Sequence, residues 1–154
     1  MKVKTIILTL SLCFIGAAVC FAQQPQMGTW KLNEAKSKIA PGAPKITTVV
    51  YEAAGDSVKV TVDGTDGEGK PLHSEWTGKF DGKDYPVTGD PNTDTRSYKK
   101  VDDHTLESTN KKGDKVGITA RGVVSADGKT RTVTLHGTDS KGKKYTSTAV
   151  FDKQ

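Results

Sequence analysis

The sequence predicts an all-β domain in which eight antiparallel strands follow one another as an up-and-down meander. After Pro44, apolar and polar residues alternate with a period of two, as in a sheet that is buried on one face. Short connections rich in Asp and Gly separate the alternating runs, which is typical of hairpin turns. Because an open meander leaves two unpaired edges, we expect a closed β-barrel, with a two-sheet β-sandwich as the alternative.

Residues 1–22 are predicted to be a cleavable secretory signal peptide. Lys2 and Lys4 give a charged start, an apolar run follows, and Ala22 ends a cleavage site of small residues. The apolar run is shorter than the roughly 20 residues that span a bilayer, so no stable membrane insertion is expected after cleavage. We therefore expect a secreted or periplasmic protein in which residues 23–154 form one domain.

Composition limits the partners and the chemistry of the mature chain. Both cysteines, Cys13 and Cys20, lie in the predicted signal, so the mature domain has neither a disulfide nor a reactive thiol. The formal net charge of +5 becomes +3 when Lys2 and Lys4 leave with the signal. Lysines and acids are interspersed along the chain, which indicates a solvated surface and no nucleic-acid partner.

The elements follow in order from the predicted lead, residues 23–44. Within this lead, 28–32 opens the domain, and Asn33 begins a short helical turn that Pro41 and Pro44 end, since proline cannot continue a helix. The eight predicted strands are 45–53, 57–64, 71–80, 95–101, 105–111, 115–125, 130–137 and 144–152. Residues 81–94 are predicted to be a loop with a short edge segment.

Alternation places one apolar set inside the barrel and leaves Lys, Thr, Glu and Asp on the opposite face. The residues predicted to point inward are Val58, Val60, Val62, Leu72, Trp76, Phe80, Val116, Ile118, Val124, Val133 and Leu135.

One short motif carries a family resemblance. Gly28-Thr29-Trp30 resembles the Gly-x-Trp signature at the first strand of lipocalins and fatty-acid-binding proteins, the calycin barrels. This resemblance implies a lipocalin-like barrel that carries a small apolar ligand, with Trp30 closing one end. It also implies an arginine over that tryptophan, for which Arg121 and Arg131 are the candidates. Most of the mature chain resembles small exported bacterial proteins of unassigned function.

The sequence departs from the fatty-acid-binding pattern at two points. Residues 33–44 are too few for the two helices that follow the first strand in those proteins. Their last strand carries an Arg-x-Tyr pair that holds the ligand carboxylate, whereas here the last strand has Lys144-Tyr145. Arg96-Ser97-Tyr98 has the Arg-x-Tyr spacing, but it lies in the fourth predicted strand.

Four residues are the candidate ligand-binding set. Trp76 and Phe80 would line a cavity if one exists, and Arg96 and Tyr98 share one face by alternation and would meet a polar head group. An arginine is costly to bury without a partner, so an inward Arg96 would indicate an anionic ligand. The alternative is a barrel that these aromatic residues fill completely and that binds no ligand. Such a protein would act through its surface, as an interaction protein of the cell envelope or of the stress response.

No residue pattern predicts catalysis, a metal or a cofactor. The histidines, His73, His104 and His136, are far apart in the sequence, and no thiol is available to complete a zinc site. The Gly-x-Ser-x-Gly motif of hydrolases does not occur. We therefore expect a non-catalytic binding protein with no cofactor, and a small amphipathic or hydrophobic molecule is its expected ligand.

Overall fold

The computed structural model describes residues 24–154, so the predicted signal peptide over residues 1–22 lies outside the described residues. Ten strands and one 3-10 turn, Glu34–Lys36, make up this part of the chain. The strands are β1 (Gly28–Leu32), β2 (Lys45–Ala54), β3 (Ser57–Thr65), β4 (Pro71–Gly78), β5 (Asp81–Thr88), β6 (Thr95–Lys100), β7 (Thr105–Lys112), β8 (Lys115–Val124), β9 (Thr130–Thr138) and β10 (Lys144–Lys153). Over residues 24–154, none of the helical structure has the length and hydropathy that a membrane crossing requires.

The strands form a closed antiparallel barrel in which each strand pairs with its neighbours in the chain. The first and last strands close the cylinder, with Trp30 of β1 opposite Lys153 of β10 and Leu32 opposite Phe151. β1 pairs with β2 on its other side. The prediction of a closed meander barrel is therefore confirmed, and no sandwich forms.

The predicted number of eight strands is wrong, because two further segments complete the barrel. β1 comes from the lead that was expected to precede the meander, and β5 comes from the predicted loop over residues 81–94. Both segments were difficult to assign for a physical reason. β1 is only five residues long, and β5 contains Gly82 and Pro86, residue types that are depleted in strands.

Proline is accommodated in β5 because the ladder on one side of this strand is short. β5 pairs with β4 only at Glu75–Thr88 and Trp76–Val87. Val87 donates its backbone N–H to Asp94 at the β6 side. Since successive residues point their backbone groups to opposite sides, the nitrogen of Pro86 faces β4, where few ladder bonds exist to be lost.

The two ends of the barrel differ, and we call them the rim and the floor. The rim is formed by residues 39–44, 66–70, 89–94, 113–114 and 139–143. The floor is formed by residues 24–27, 55–56, 79–80, 101–104 and 125–129. Hairpin turns at both ends use glycines with positive φ, such as Gly113 at the rim and Gly128 at the floor.

The chain before β1 plugs the floor. Gln26 and Met27 are buried there, and the side-chain amide of Gln26 donates to the carbonyl of His104 at 2.8 Å. The indole N–H of Trp30 donates to the carbonyl of Gln26 at 2.8 Å. Because these two bonds tie residues 24–27 to the barrel wall, the floor is closed to solvent.

The floor half of the barrel is packed solid by aliphatic and aromatic side chains. Val58 and Val60 of β3 are fully buried, as predicted from their alternation. Trp76 is also buried, and its indole N–H donates to the carbonyl of Arg96 at 2.7 Å. Val116, predicted to point inward, is 50% exposed because it lies at the rim end of β8. Buried packing therefore decreases from the floor to the rim.

Replacing Trp30 tests how much the floor contributes to stability. Trp30 is 0% exposed, so Trp30→Ala should lower the free energy of unfolding by about 3–5 kcal/mol, since it leaves a cavity in a packed core. The measurement is urea denaturation followed by far-ultraviolet circular dichroism. Val123→Ala, at a side chain that is 42% exposed, is the control and should change this energy by less than about 0.5 kcal/mol. Equal effects of the two substitutions would contradict a packed floor.

Candidate functional site

The rim half of the barrel encloses a cavity of about 940 Å³ that opens between the rim turns. Small and branched apolar side chains from five strands form much of its wall. They include Val49, Val62, Ile118, Val133, Leu135 and Ala149. This volume lies within the range of about 300–1,000 Å³ that is usual for small-molecule sites.

Arg96 is the first of two buried arginines that reach this cavity. It lies at the rim end of β6 and is only 6% exposed. Its Nε donates to the side-chain oxygen of Asn110 at 2.8 Å, and Asn110 is its partner on β7 in the register. Nη1 of Arg96 is buried and has no hydrogen-bond partner. The guanidinium is thus held in place by one bond and has donor capacity left for another group.

Arg131 is the second, and it lies at the floor end of β9. It is 5% exposed, and its guanidinium carbon lies 4.8 Å from the centre of the Tyr51 ring, which is a cation–π arrangement. Nε of Arg131 is buried without a hydrogen-bond partner. The side chain occupies space that Gly122 leaves free, since a Cβ at Gly122 would be 2.8 Å from Nε and Nη2. Glycine at this position lets the guanidinium turn toward the rim.

In the described part of the chain, the acidic residues that border the cavity all lie at the rim. Their carboxylates accept hydrogen bonds from backbone N–H groups of the turns or pair with a lysine. Asp66, Asp90 and Asp139 each accept backbone N–H groups within their own turns. Glu68 is paired with Lys70 at 2.6 Å. The interior therefore carries the charges of two guanidinium groups without a neighbouring carboxylate from residues 24–154.

Two tyrosines connect the arginines across the cavity. The rings of Tyr51 and Tyr98 lie edge to face with their centres 6.2 Å apart, and the guanidinium carbon of Arg96 is 6.0 Å from the Tyr98 ring. Burial raises the pKa of the Tyr51 hydroxyl, although the positive charge of Arg131 opposes this shift. Tyr51 therefore stays neutral and remains a hydrogen-bond donor at ordinary pH.

These polar groups are suited to binding and less to proton transfer. A guanidinium donates hydrogen bonds but does not exchange its proton in the physiological range, and a phenol with a raised pKa behaves in the same way. Amide and hydroxyl groups of Asn110 and Ser108 add donors and acceptors on the same wall. Over residues 24–154, no three side chains of the metal-ligating types gather into a site.

The structure divides the four predicted ligand-binding residues into two pairs. Arg96 and Tyr98 line the cavity. Trp76 and Phe80 pack on its floor side, where their rings are stacked at 6.3 Å with an interplanar angle of 11°. The ring of Trp76 also meets that of Tyr98 at 4.7 Å, edge to face. Trp76 and Phe80 thus support the cavity-lining Tyr98 from below.

Sequence reasoning did not assign Tyr51, Asn110 or Arg131 to the cavity. A signal was present for Arg131, since it lies in the same phase of β9 as Val133 and Leu135. The tertiary pairing of Asn110 with Arg96 had no such signal. The cation over the Trp30 ring is Lys153, at 5.1 Å, and neither of the arginines suggested by the lipocalin resemblance.

Comparison with solved structures gives distant likenesses. No protein-family model and no curated protein matches the chain. The chain is similar to EF1p2_mFAP2b bound to DFHBI, with 14% identity, a TM-score of 0.46 and coverage of 85% of this chain and 95% of that one. It is also similar to mFAP1, a redesigned β-barrel bound to DFHBI, with 18% identity, a TM-score of 0.40 and coverage of 84% and 96%. Likenesses at these TM-scores assign neither a family nor a ligand to this chain.

The raised pKa of Tyr51 predicts a loss of stability in alkali. In the unfolded chain Tyr51 ionises near pH 10, whereas in the folded barrel it stays protonated at that pH. The unfolded state then binds fewer protons, so the free energy of unfolding should fall as the pH rises above about 10. The measurement is urea denaturation in a pH series.

Tyr51→Phe should reduce this fall, because the substitution removes the buried group that ionises on unfolding. Tyr85→Phe is the comparison, since the pKa of Tyr85 is raised mainly by its hydrogen bond to Asp81 at the surface and less by burial. Solvent screens that surface interaction, so the effect of this substitution on the pH dependence should be smaller. An unchanged pH dependence in Tyr51→Phe would contradict the assignment.

Proposed function

We propose that this protein is an exported, non-catalytic barrel that carries a small amphipathic acid in its cavity. Export rests on the predicted signal peptide, and the carrier role rests on one observation above all. Arg96 lines a cavity with largely apolar walls and is almost fully buried, yet its Nη1 has no hydrogen-bond partner in the protein.

The energetic cost of burying Arg96 supports an anionic ligand. A buried charge that lacks a partner destabilises a folded protein by several kcal/mol, because its hydration is lost. The side-chain oxygen of Asn110 accepts one hydrogen bond from this arginine. Because Asn110 is neutral, this bond offsets only part of that cost. A carboxylate or similar acid that reaches the Arg96 guanidinium group from the cavity would supply the charge-assisted hydrogen bonds that the protein itself does not provide.

The rest of the cavity suits an apolar body attached to that acid. Val49 and Val62 on one wall and Val133 and Leu135 on another offer aliphatic surface without hydrogen-bonding groups. Burying apolar ligand surface there contributes about 25 cal/mol per Å². This pairing of a charged anchor with apolar walls favours an amphipathic ligand, and the open volume favours a carrier over a filled barrel acting only through its surface.

Substitution of Arg96 tests this proposal. Arg96→Gln removes the charge while leaving an amide that can still bond Asn110, so the fold should persist. Dodecanoate binding, measured by calorimetry on the delipidated mature protein, should weaken at least about tenfold, which corresponds to about 1.4 kcal/mol. Native mass spectrometry of wild-type protein from its own export compartment should show an added mass that organic extraction removes.

Arg121→Gln is the matched control, because it removes the same charge from the outer face, where Arg121 pairs with Glu107. Its affinity for dodecanoate should equal that of the wild type. An equal loss in both variants would indicate a general electrostatic effect. Unchanged binding in Arg96→Gln, or no binding of dodecanoate by the wild type, would refute the assignment of the head group to Arg96.

A further inference from the structure

The barrel wall has its shortest hydrogen-bond ladder close to the strand that carries Arg96. In the described part of the chain, β4 and β5 share two residue pairs, one of which is Trp76–Val87. On its other side β4 is joined to β3 by eight pairs, and β6 is joined to β7 by six. Backbone pairing through β5 therefore fixes the position of β6 relative to β4 only weakly.

One side chain of β4 spans this short ladder inside the barrel. The indole N–H of Trp76 reaches past β5 and donates to the carbonyl of Arg96 on β6, in a buried bond of 2.7 Å. The Trp76 ring also packs edge to face on Tyr85 of β5 at 5.7 Å and on Tyr98 of β6 at 4.7 Å. Trp76 thus links three consecutive strands through contacts that do not belong to the ladder.

These contacts hold the two residues of β6 that line the cavity, Arg96 and Tyr98. The guanidinium of Arg96 is held at its outer end by the bond to Asn110, and it lies 6.0 Å from the centre of the Tyr98 ring. Trp76 holds the backbone of Arg96 and the ring of Tyr98 from the floor side. A binding group is precise only when its supporting residues are themselves locked, and this pre-organisation lowers the cost of binding.

We propose that Trp76 is a positioning residue, which holds Arg96 across the short β4–β5 ladder so that its guanidinium meets the acid group of the ligand. This inference rests on the carrier function proposed above and adds a residue that determines the preference for an acid. It gives Trp76 a different role from the cavity-lining one that the sequence predicted. The indole N–H should matter for the head group of the ligand and not for its apolar chain.

Trp76→Phe tests the proposal, because it keeps an aromatic ring and removes the N–H donor. Its affinity for dodecanoate, measured by calorimetry on the intact mature protein, should fall at least about fivefold. Its affinity for dodecanol, which has the same chain and a neutral head group, should stay within about twofold of the wild type. Unchanged dodecanoate affinity would overturn the proposal. An equal loss for both ligands would also overturn it, since Trp76 would then support the cavity as a whole.

Trp30→Phe is the matched control. Trp30 is also buried, and its indole N–H donates to a backbone carbonyl, that of Gln26, at 2.8 Å. Both phenylalanine variants should lower the midpoint of urea denaturation, because each removes one buried hydrogen bond. Only Trp76→Phe should change the ratio of dodecanoate to dodecanol affinity. The same change in Trp30→Phe would show that lost stability, and not the position of Arg96, is responsible.

A double-mutant cycle tests whether Trp76 acts through Arg96. In the Arg96→Gln protein, adding Trp76→Phe should weaken dodecanoate binding by less than about twofold, because the guanidinium that Trp76 positions is already absent. A further loss as large as the one in the wild-type protein would contradict the proposal, since Trp76 would then act independently of Arg96.

Amide hydrogen exchange without ligand separates this inference from the carrier function. The amides of Asp81–Thr88 and Thr95–Lys100 should exchange at least about threefold faster in Trp76→Phe than in Trp30→Phe, because the short ladder opens locally. The amides of Lys115–Val124, on the other side of the barrel, should exchange alike in the two variants. If the wild type binds no dodecanoate, the carrier function fails, and equal exchange of β5 and β6 in the two variants would overturn the positioning role as well.

Discussion

Closure of the sheet on itself is the constraint on which the rest of this structure depends. The seam between β1 and β10 removes both edges of the meander. Over residues 24–154 the ladder is shortest between β4 and β5, where only two residue pairs form. This closure requires the short segment Gly28–Leu32, which also carries Trp30 into the floor. One five-residue strand therefore completes the hydrogen-bond ladder and seals one end of the interior.

Ten strands enclose more space than the apolar side chains of this chain fill. The unfilled space is concentrated in one half of the barrel. The aromatic residues collect on the floor side, where Trp76, Phe80 and Tyr98 contact one another. The rim half is lined by smaller side chains and remains open. Because the diameter of a barrel grows with its number of strands, a ten-stranded barrel with few large apolar residues cannot be filled along its whole length. Its floor half is packed and its rim half remains a cavity.

The local pattern of the sequence predicted most of the fold, and the errors have a common cause. Alternation located eight strands and turned Val58 and Val60 inward, because side-chain direction in a strand depends only on phase. It placed Arg96 and Tyr98 on one face of their strand but left open whether that face points inward. It missed β1, which is short, and β5, whose Pro86 is tolerated only because its ladder with β4 is brief. It also missed the pairing of Arg96 with Asn110, since contacts between strands depend on register, which alternation does not encode.

The same closed scaffold accommodates two buried arginines, each with one side-chain nitrogen that has no hydrogen-bond partner. Arg96 is held by a hydrogen bond to the side chain of Asn110. Arg131 fits because Gly122 has no side chain in the space that the guanidinium occupies. The packed floor supplies stability that a cavity with two buried charges lacks. An anion that binds only the folded state then adds its binding free energy to that stability. If an acid binds there as proposed, its binding free energy and the stability of the fold are coupled at the arginines, because the acid would offset the cost of burying these two guanidinium groups.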